Sequence, residues 1–202
     1  MGITVLTDRL LEQTAVYRMW QSPFVEQKFA PILAHNDVSR VRRVLDVGCG
    51  PGTNAGKFQH SDYSGIDFNE SYIEYARQRY GRTFQVADVT KLTVSSGQRF
   101  DFILLNSLLH HLPTDGIESI LNHLTSLLAD DGAVHILELV LPPHASLART
   151  LARWDRGKFA RPLDVWQSIF EKFFKREIFQ PYPVKALGMT AWSMVYFKGS
   201  AR

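Results

Sequence analysis

Ten residues constrain this fold more than any others: Arg43-Val44-Leu45-Asp46-Val47-Gly48-Cys49-Gly50-Pro51-Gly52. Arg43 to Val47 is rich in branched apolar residues, as a strand covered on both faces is, and Asp46 is a charge near its carboxyl end. Gly48, Gly50 and Gly52 then let the backbone turn sharply and approach a ligand with no Cβ in the way. A buried strand that runs straight into such a turn points to an open α/β sheet, whose ligands collect at the carboxyl ends of the strands.

Spacing separates two kinds of ligand. A dinucleotide fingerprint started at Gly48 needs its third glycine at position 53, which is Thr53, and it serves to seat a pyrophosphate on a helix amino terminus. The pattern found, an acidic residue followed by Gly-x-Gly-x-Gly at Asp46, Gly48, Gly50 and Gly52, resembles motif I of the class I S-adenosylmethionine (SAM) dependent methyltransferases. SAM has no phosphate; it carries a carboxylate, an ammonium and a sulfonium. Asp46 suits the ammonium, and Cys49 supplies the small side chain that the turn needs.

The order of elements agrees with that resemblance. Thr7 to about Ala34 reads as helical, with Ser22-Pro23 breaking it into two helices. Strands are expected at Arg43 to Val47, Tyr63 to Asp67, Thr83 to Val86, Phe100 to Leu105 and Ala133 to Leu139. Between them lie a short helix after Gly52, a helix from Asn69 to Tyr80 closed by Gly81, and one from Thr114 to Leu128, followed by a turn at Asp130-Asp131-Gly132. Phe173 to Phe179 and Ala191 to Lys198 read as two further strands whose connection, 180–190, is short enough to favour an antiparallel pair. The expected fold is α/β: a Rossmann-like, doubly wound, seven-stranded sheet, mostly parallel with an antiparallel carboxyl-terminal strand and helices on both faces. At 202 residues and 45% hydrophobic, with no linker, repeat or low-complexity segment, the chain reads as one domain over 1–202, with 1–40 a helical cap and 141–172 a substrate-recognition insertion.

Three later segments continue the resemblance. Asp67 ends the second strand, where it implies a carboxylate accepting from both ribose hydroxyls, with Phe68 against adenine; as a bare sequence feature Asp67 caps the next helix. Asp88 and Val89 follow the third strand, where the family meets the adenine ring; a solvated loop aspartate is the alternative. Asn106 ends the fourth strand and, with Ser107, implies contact with the amino-acid part of the cofactor. His110 or His111, just beyond, could serve as general base, since imidazole titrates near neutrality; packing is the other role. Glu138 sits among apolar residues near the end of strand five, either as an acceptor or base in a pocket or paired with an arginine such as Arg153.

The segments that choose the acceptor carry weaker signals. Arg149, Arg153 and Arg156 share a helix face beside Trp154, a grip for a carboxylate or phosphate or an ordinary solvated face. Tyr17 and Trp20 could close over the cofactor or pack as core. The composition narrows the partners: a net charge of +3 is too modest to argue for nucleic acid by itself, one cysteine excludes an internal disulfide and a thiolate-rich metal site, and no stretch has the length of a membrane span. A cytoplasmic enzyme with SAM as cofactor, no metal and a small-molecule acceptor, an acidic one suiting the arginines, is the expected function. The alternatives are methylation of RNA or protein and a SAM-binding module without turnover. Asn106 is followed by Ser-Leu-Leu rather than the Pro-Pro-aromatic of adenine N-methyltransferases. Acceptor atom, pathway and oligomeric state stay open.

Overall fold

A computed structural model describes residues 14–91, 98–154 and 157–202, with side chains from Phe24 onward. Seven strands form one sheet in the order β3-β2-β1-β4-β5-β7-β6: β1 Arg43–Val47, β2 Asp62–Asp67, β3 Thr83–Val86, β4 Phe100–Asn106, β5 Leu128–Leu139, β6 Lys175–Ala186 and β7 Met189–Ser200. Strands β1 to β5 run parallel, and β7 lies antiparallel between β5 and β6. Parallel strands covered on both faces are apolar throughout, and β1 and β4 are buried along nearly their whole length.

Among the described residues five helices cover the sheet: α1 Thr14–His35, α2 Glu70–Tyr80, α3 Thr114–Thr125, α4 Leu147–Trp154 and α5 Leu163–Phe173. Phe29 and Ile32 of α1 and Ile73 and Ala76 of α2 pack with Val44, Phe58, Tyr63, Phe102 and Tyr196 on one face. On the other, the 3.6-residue periodicity of α3 presents Ile117, Ile120, Leu121 and Leu124 to Ile103, Leu105 and Ile136, together with Trp166 and Phe170 of α5. The Trp166 indole N–H donates to Leu139 O at 2.8 Å, so a large buried ring keeps its donor satisfied. Helix α2 starts as its sequence predicts, with Asn69 Oδ1 accepting from Tyr72 N at 3.2 Å, and stops at Gly81, which has φ 58°.

Several expectations need correction. Ser22-Pro23 does not split the first helix; α1 runs unbroken from Thr14 to His35. A proline removes one intrahelical bond, and α1 is held from outside beyond it: Gln27 Nε2 donates to Lys185 O (3.1 Å) and Gln27 Oε1 accepts from Lys185 N (2.9 Å), Tyr182 Oη donates to Lys28 O (2.9 Å), and His35 Nε2 bonds Gln180 Oε1 (2.8 Å). Residues 7–13 of the expected helix lie outside the described residues. Helix α3 ends at Thr125 rather than Leu128, and Asp130 and Asp131 fall within β5, where the pairing with β4 changes register. After Gly52 there is a single 3₁₀ turn, Ala55–Lys57.

The largest difference is the final hairpin. Residues 173–179 were expected as strand and 180–190 as connection; instead α5 extends to Phe173, β6 to Ala186, and the connection is Leu187-Gly188 alone. Both turn residues have positive φ, 49° and 79°, as a two-residue hairpin turn matching strand twist requires. Pro181 and Pro183 are tolerated within β6 because it is the outermost strand and their missing N–H groups remove no bond to a further neighbour.

Candidate cofactor site

The strand order reverses between β1 and β4, and a cleft opens at their carboxyl ends, the position where open α/β sheets take ligands. Its walls are Val25 and Lys28 from α1 and Gly48, Cys49, Thr53 and Asn54 from the glycine turn; Asn106 and Ser107 line it from the end of β4. The turn is hitched to β2, since Gly48 N and Cys49 N both donate to Ile66 O, at 2.8 and 3.0 Å. Gly48 is required here twice over. Its φ is 69°, and a Cβ at that position would lie 2.9 Å from Leu108 Cδ1, closing the gap between the turn and the β4 loop.

Asp46 is fully buried beneath the turn. Its Oδ2 accepts from Tyr63 Oη at 2.6 Å and Asn54 Nδ2 at 3.1 Å. Asp46 Oδ1 and Asn54 Oδ1 are buried acceptors with no donor among the described residues. Burial pushes the Asp46 carboxyl up to about 6, against the pull of the Tyr63 and Asn54 hydrogen bonds. The site thus holds acceptors that a cationic donor would complete, the converse of what a phosphate needs.

Asp67 organises the same turn from β2. Its Oδ2 accepts from Gly50 N and its Oδ1 from Asn69 N, each at 2.9 Å. Burial pushes its pKa up, and the Asn69, Gly50 and Phe68 N–H groups pull against that. Phe68, next in sequence, is 81% exposed, a ring presented at the rim. Asp88 sits differently: it is half exposed, its Oδ1 accepts from Thr90 N (3.0 Å) and Thr90 Oγ1 (2.7 Å), and Lys91 Nζ lies 3.6 Å from its Oδ2. Those contacts form a local turn cap, while Val89 packs into the core. Cys49 is buried and its thiol is pushed up by burial, as suits a small turn residue and not a nucleophile.

Glu138 neither lines the cleft nor meets Arg153. Its fully buried carboxylate accepts from Leu109 N at 2.7 Å, from Leu139 N at 2.6 Å and from His110 Nδ1 in a very short bond. Burial alone would raise its pKa; His110 and the two backbone donors outweigh that and hold it below the ordinary value. The pairing is legible only in three dimensions, because it joins the loop after β4 to the neighbouring strand β5. His110 is buried, with its ring centroid 4.2 Å from that of His111, which is exposed. Arg161 closes the same loop, donating to Phe159 O, Leu112 O and Thr114 Oγ1.

The remaining expected substrate residues are not brought together. Arg153 and Trp154 are exposed at the end of α4, Trp154 by 79%, and Arg149 turns back to donate to Pro142 O. Arg156 lies outside the described residues, as do the side chains of Tyr17 and Trp20, whose backbone belongs to α1. Lys28, Asn54 and Tyr63 escaped the sequence reading. Asn54 was discoverable from its place just after the glycines; nothing in the pattern of α1 marks Lys28.

Comparisons with known proteins give this geometry its context. A family model described as "Methyltransferase domain" matches residues 44–132. The trans-aconitate 2-methyltransferase of Methylobacterium radiotolerans is 32% identical over 130 residues, 61% of this chain and 48% of that protein. A ubiquinone biosynthesis O-methyltransferase of Coxiella burnetii is 37% identical over 79 residues, 36% of this chain and 33% of that one. The chain therefore spans about half the length, or less, of these curated relatives. The N-methyltransferase NodS from Bradyrhizobium japonicum, solved with S-adenosyl-L-homocysteine (SAH), superposes with a TM-score of 0.73 at 16% identity, covering 96% of this chain and 95% of that one; at that identity the likeness concerns the fold. No described helix is long and apolar enough to cross a membrane. The family match over β1 to the start of β5, the seven-stranded order with β7 reversed, and the glycine turn closing over Asp46 make the chain similar to the class I SAM-dependent methyltransferases.

Proposed function

We propose that this protein transfers a methyl group from SAM to a small-molecule acceptor. The observation that carries the reading is the cleft between β1 and β4, where a glycine turn, buried acceptors under it and the Asp67 carboxylate lie together. When bound, SAM supplies a methyl already activated by the sulfonium charge: the acceptor's lone pair forms the new bond to carbon as the S–CH₃ pair returns to sulfur, leaving SAH. The protein's own task is alignment and exclusion of water. Asp46 would hold the cofactor's ammonium, Asp67 would accept from the ribose hydroxyls, and Phe68 would cover the adenine.

Where the acceptor must lose a proton, His110 is the better placed of the two histidines to take it, because Glu138 fixes its ring and would stabilise the imidazolium. Glu138 is then a positioning residue. A carboxylate acceptor needs no base. The trans-aconitate relative supports an acidic acceptor, and we place the reaction in the cytoplasm, in keeping with a single free cysteine.

The test is transfer of label from methyl-labelled SAM into a cell extract separated into small-molecule, nucleic-acid and protein fractions. Label among small molecules is expected; label in the RNA or protein fraction overturns the acceptor class, and absence of SAH binding overturns the cofactor. A pH prediction accompanies it. In the free protein the Asp46 carboxyl is held protonated up to about 6 by burial, whereas a bound ammonium favours the carboxylate, so binding at lower pH expels a proton. SAM affinity should rise with pH through about 6 and level off above it, with a limiting slope of about tenfold per pH unit below. Calorimetry across that range should show the slope in the natural protein and none in Asp46→Asn; equal profiles would remove Asp46 from the site.

A further inference from the structure

Between α4 and α5, residues 157–161 lie across the loop after β4 as a strap fastened on two sides. Toward β5, Arg161 forms a parallel bridge with Val140, and its carbonyl accepts from Leu141 N at 2.8 Å. Toward the loop, Phe159 N donates to His110 O at 3.0 Å, and the Arg161 guanidinium, 9% exposed, donates to Leu112 O and Thr114 Oγ1, each at 3.1 Å. Gly157, itself buried, lies against the imidazole of His110. A Cβ at Gly157 would overlap His110 Cδ2 and lie 2.8 Å from His110 O. The φ of Gly157 is outside the left-handed region, so a side chain there would violate the contact with His110 and not the backbone.

The His110 ring is thus held from three directions: by Glu138 at Nδ1, by the Gly157 backbone at Cδ2, and by the His111 ring, with centroids 4.2 Å apart. We propose that Gly157 is a positioning residue for the base: by carrying no side chain it lets the strap clamp the His110 imidazole in the orientation that Glu138 engages. This rests on the reading of His110 as the base. It adds that the chain between β5 and β6, where acceptor recognition was expected, also sets the geometry of proton removal. A catalytic group displaced by about 1 Å loses about a hundredfold in rate, so one methyl group at this contact is enough to be read in turnover.

Gly157→Ala is the probe, and two measurements on the full chain follow it. The first is the proton resonance of the His110 imidazole N–H, assigned by its absence in His110→Gln; it reports the bond to Glu138 whether or not His110 acts as base. In Gly157→Ala it is expected to shift or disappear. The second is the initial rate of label transfer from methyl-labelled SAM into the small-molecule fraction of a cell extract, followed across pH. A fall of about tenfold or more is expected, with an altered pH profile and unchanged SAH affinity in calorimetry. Arg161→Lys, which keeps the cation but loses the fork that fastens the strap to Leu112 and Thr114, should give smaller changes of the same kind, and it carries the test if the alanine variant does not fold. An unchanged resonance, or an unchanged rate and profile whatever the loss of stability, would make the strap merely structural and overturn the proposal. A matching loss of SAH affinity would place the effect in the cofactor cleft and overturn it as well. Full transfer by His110→Gln across the pH range would instead defeat the base reading itself, which the resonance does not depend on.

Discussion

Replacing Glu138 with alanine is expected to destabilise the protein by about 3–5 kcal/mol, the usual result of breaking a buried charged pair from one side. The change strands three donors at once: Leu109 N, Leu139 N and the His110 ring. None has water to turn to, because Glu138 is fully buried and His110 is 3% exposed. Denaturant titration is the measurement, read as a fall in midpoint at unchanged slope. Glu138→Gln keeps an acceptor oxygen in the same volume and should lose less. A loss below about 1 kcal/mol for the alanine variant, the scale of an exposed pair, would show that the loop after β4 is held by its apolar contacts alone. Activity adds a second readout: with His110 as base, Glu138→Gln should shift the pH profile of turnover for a protonated acceptor, whereas a purely structural Glu138 would leave its shape unchanged.

Asp67→Ala should reduce SAM affinity more than tenfold, about 1.4 kcal/mol or more, with little change in the folding transition. Two effects combine. The carboxylate is the acceptor offered to the ribose, and it also fixes Gly50 N and Asn69 N, each at 2.9 Å, so its loss loosens the turn that surrounds the ligand. Asp67→Asn distinguishes them, since an amide oxygen can hold one N–H but cannot accept from two hydroxyls as a carboxylate does. If the asparagine variant bound SAM as tightly as the natural protein, the ribose role would be lost and Asp67 would remain only a clamp on the turn.

How much of this was legible beforehand depended on the range of the interaction. The five parallel strands announce themselves because burial on both faces demands unbroken apolar runs such as Phe102-Ile103-Leu104-Leu105. The glycine turn is equally local: three positive-φ positions within five residues admit few other sequences. The antiparallel pair was legible but its extent was not: prolines such as Pro181 and Pro183 are compatible with an edge strand and not a central one, and edge status is a property of the assembled sheet. Ser22-Pro23 misled for a related reason, since local propensity yields to the bonds that hold α1 against β6. Within the site, Asp46 and Asp67 could be named from position alone. Glu138 could be noticed but not partnered, because His110 lies 28 residues earlier and only the β4–β5 pairing brings the two together.

The edges of the sheet carry a consequence for the protein in concentrated solution. One edge, β3, is only four residues long, too short to template much pairing. On the other, Pro181 and Pro183 offer no N–H, and Lys185 has both its N–H and its carbonyl occupied by the side-chain amide of Gln27, so a strand from a second copy finds little to bond. Ordered aggregation by sheet extension is therefore hindered at β3 and over residues 181–185 of β6.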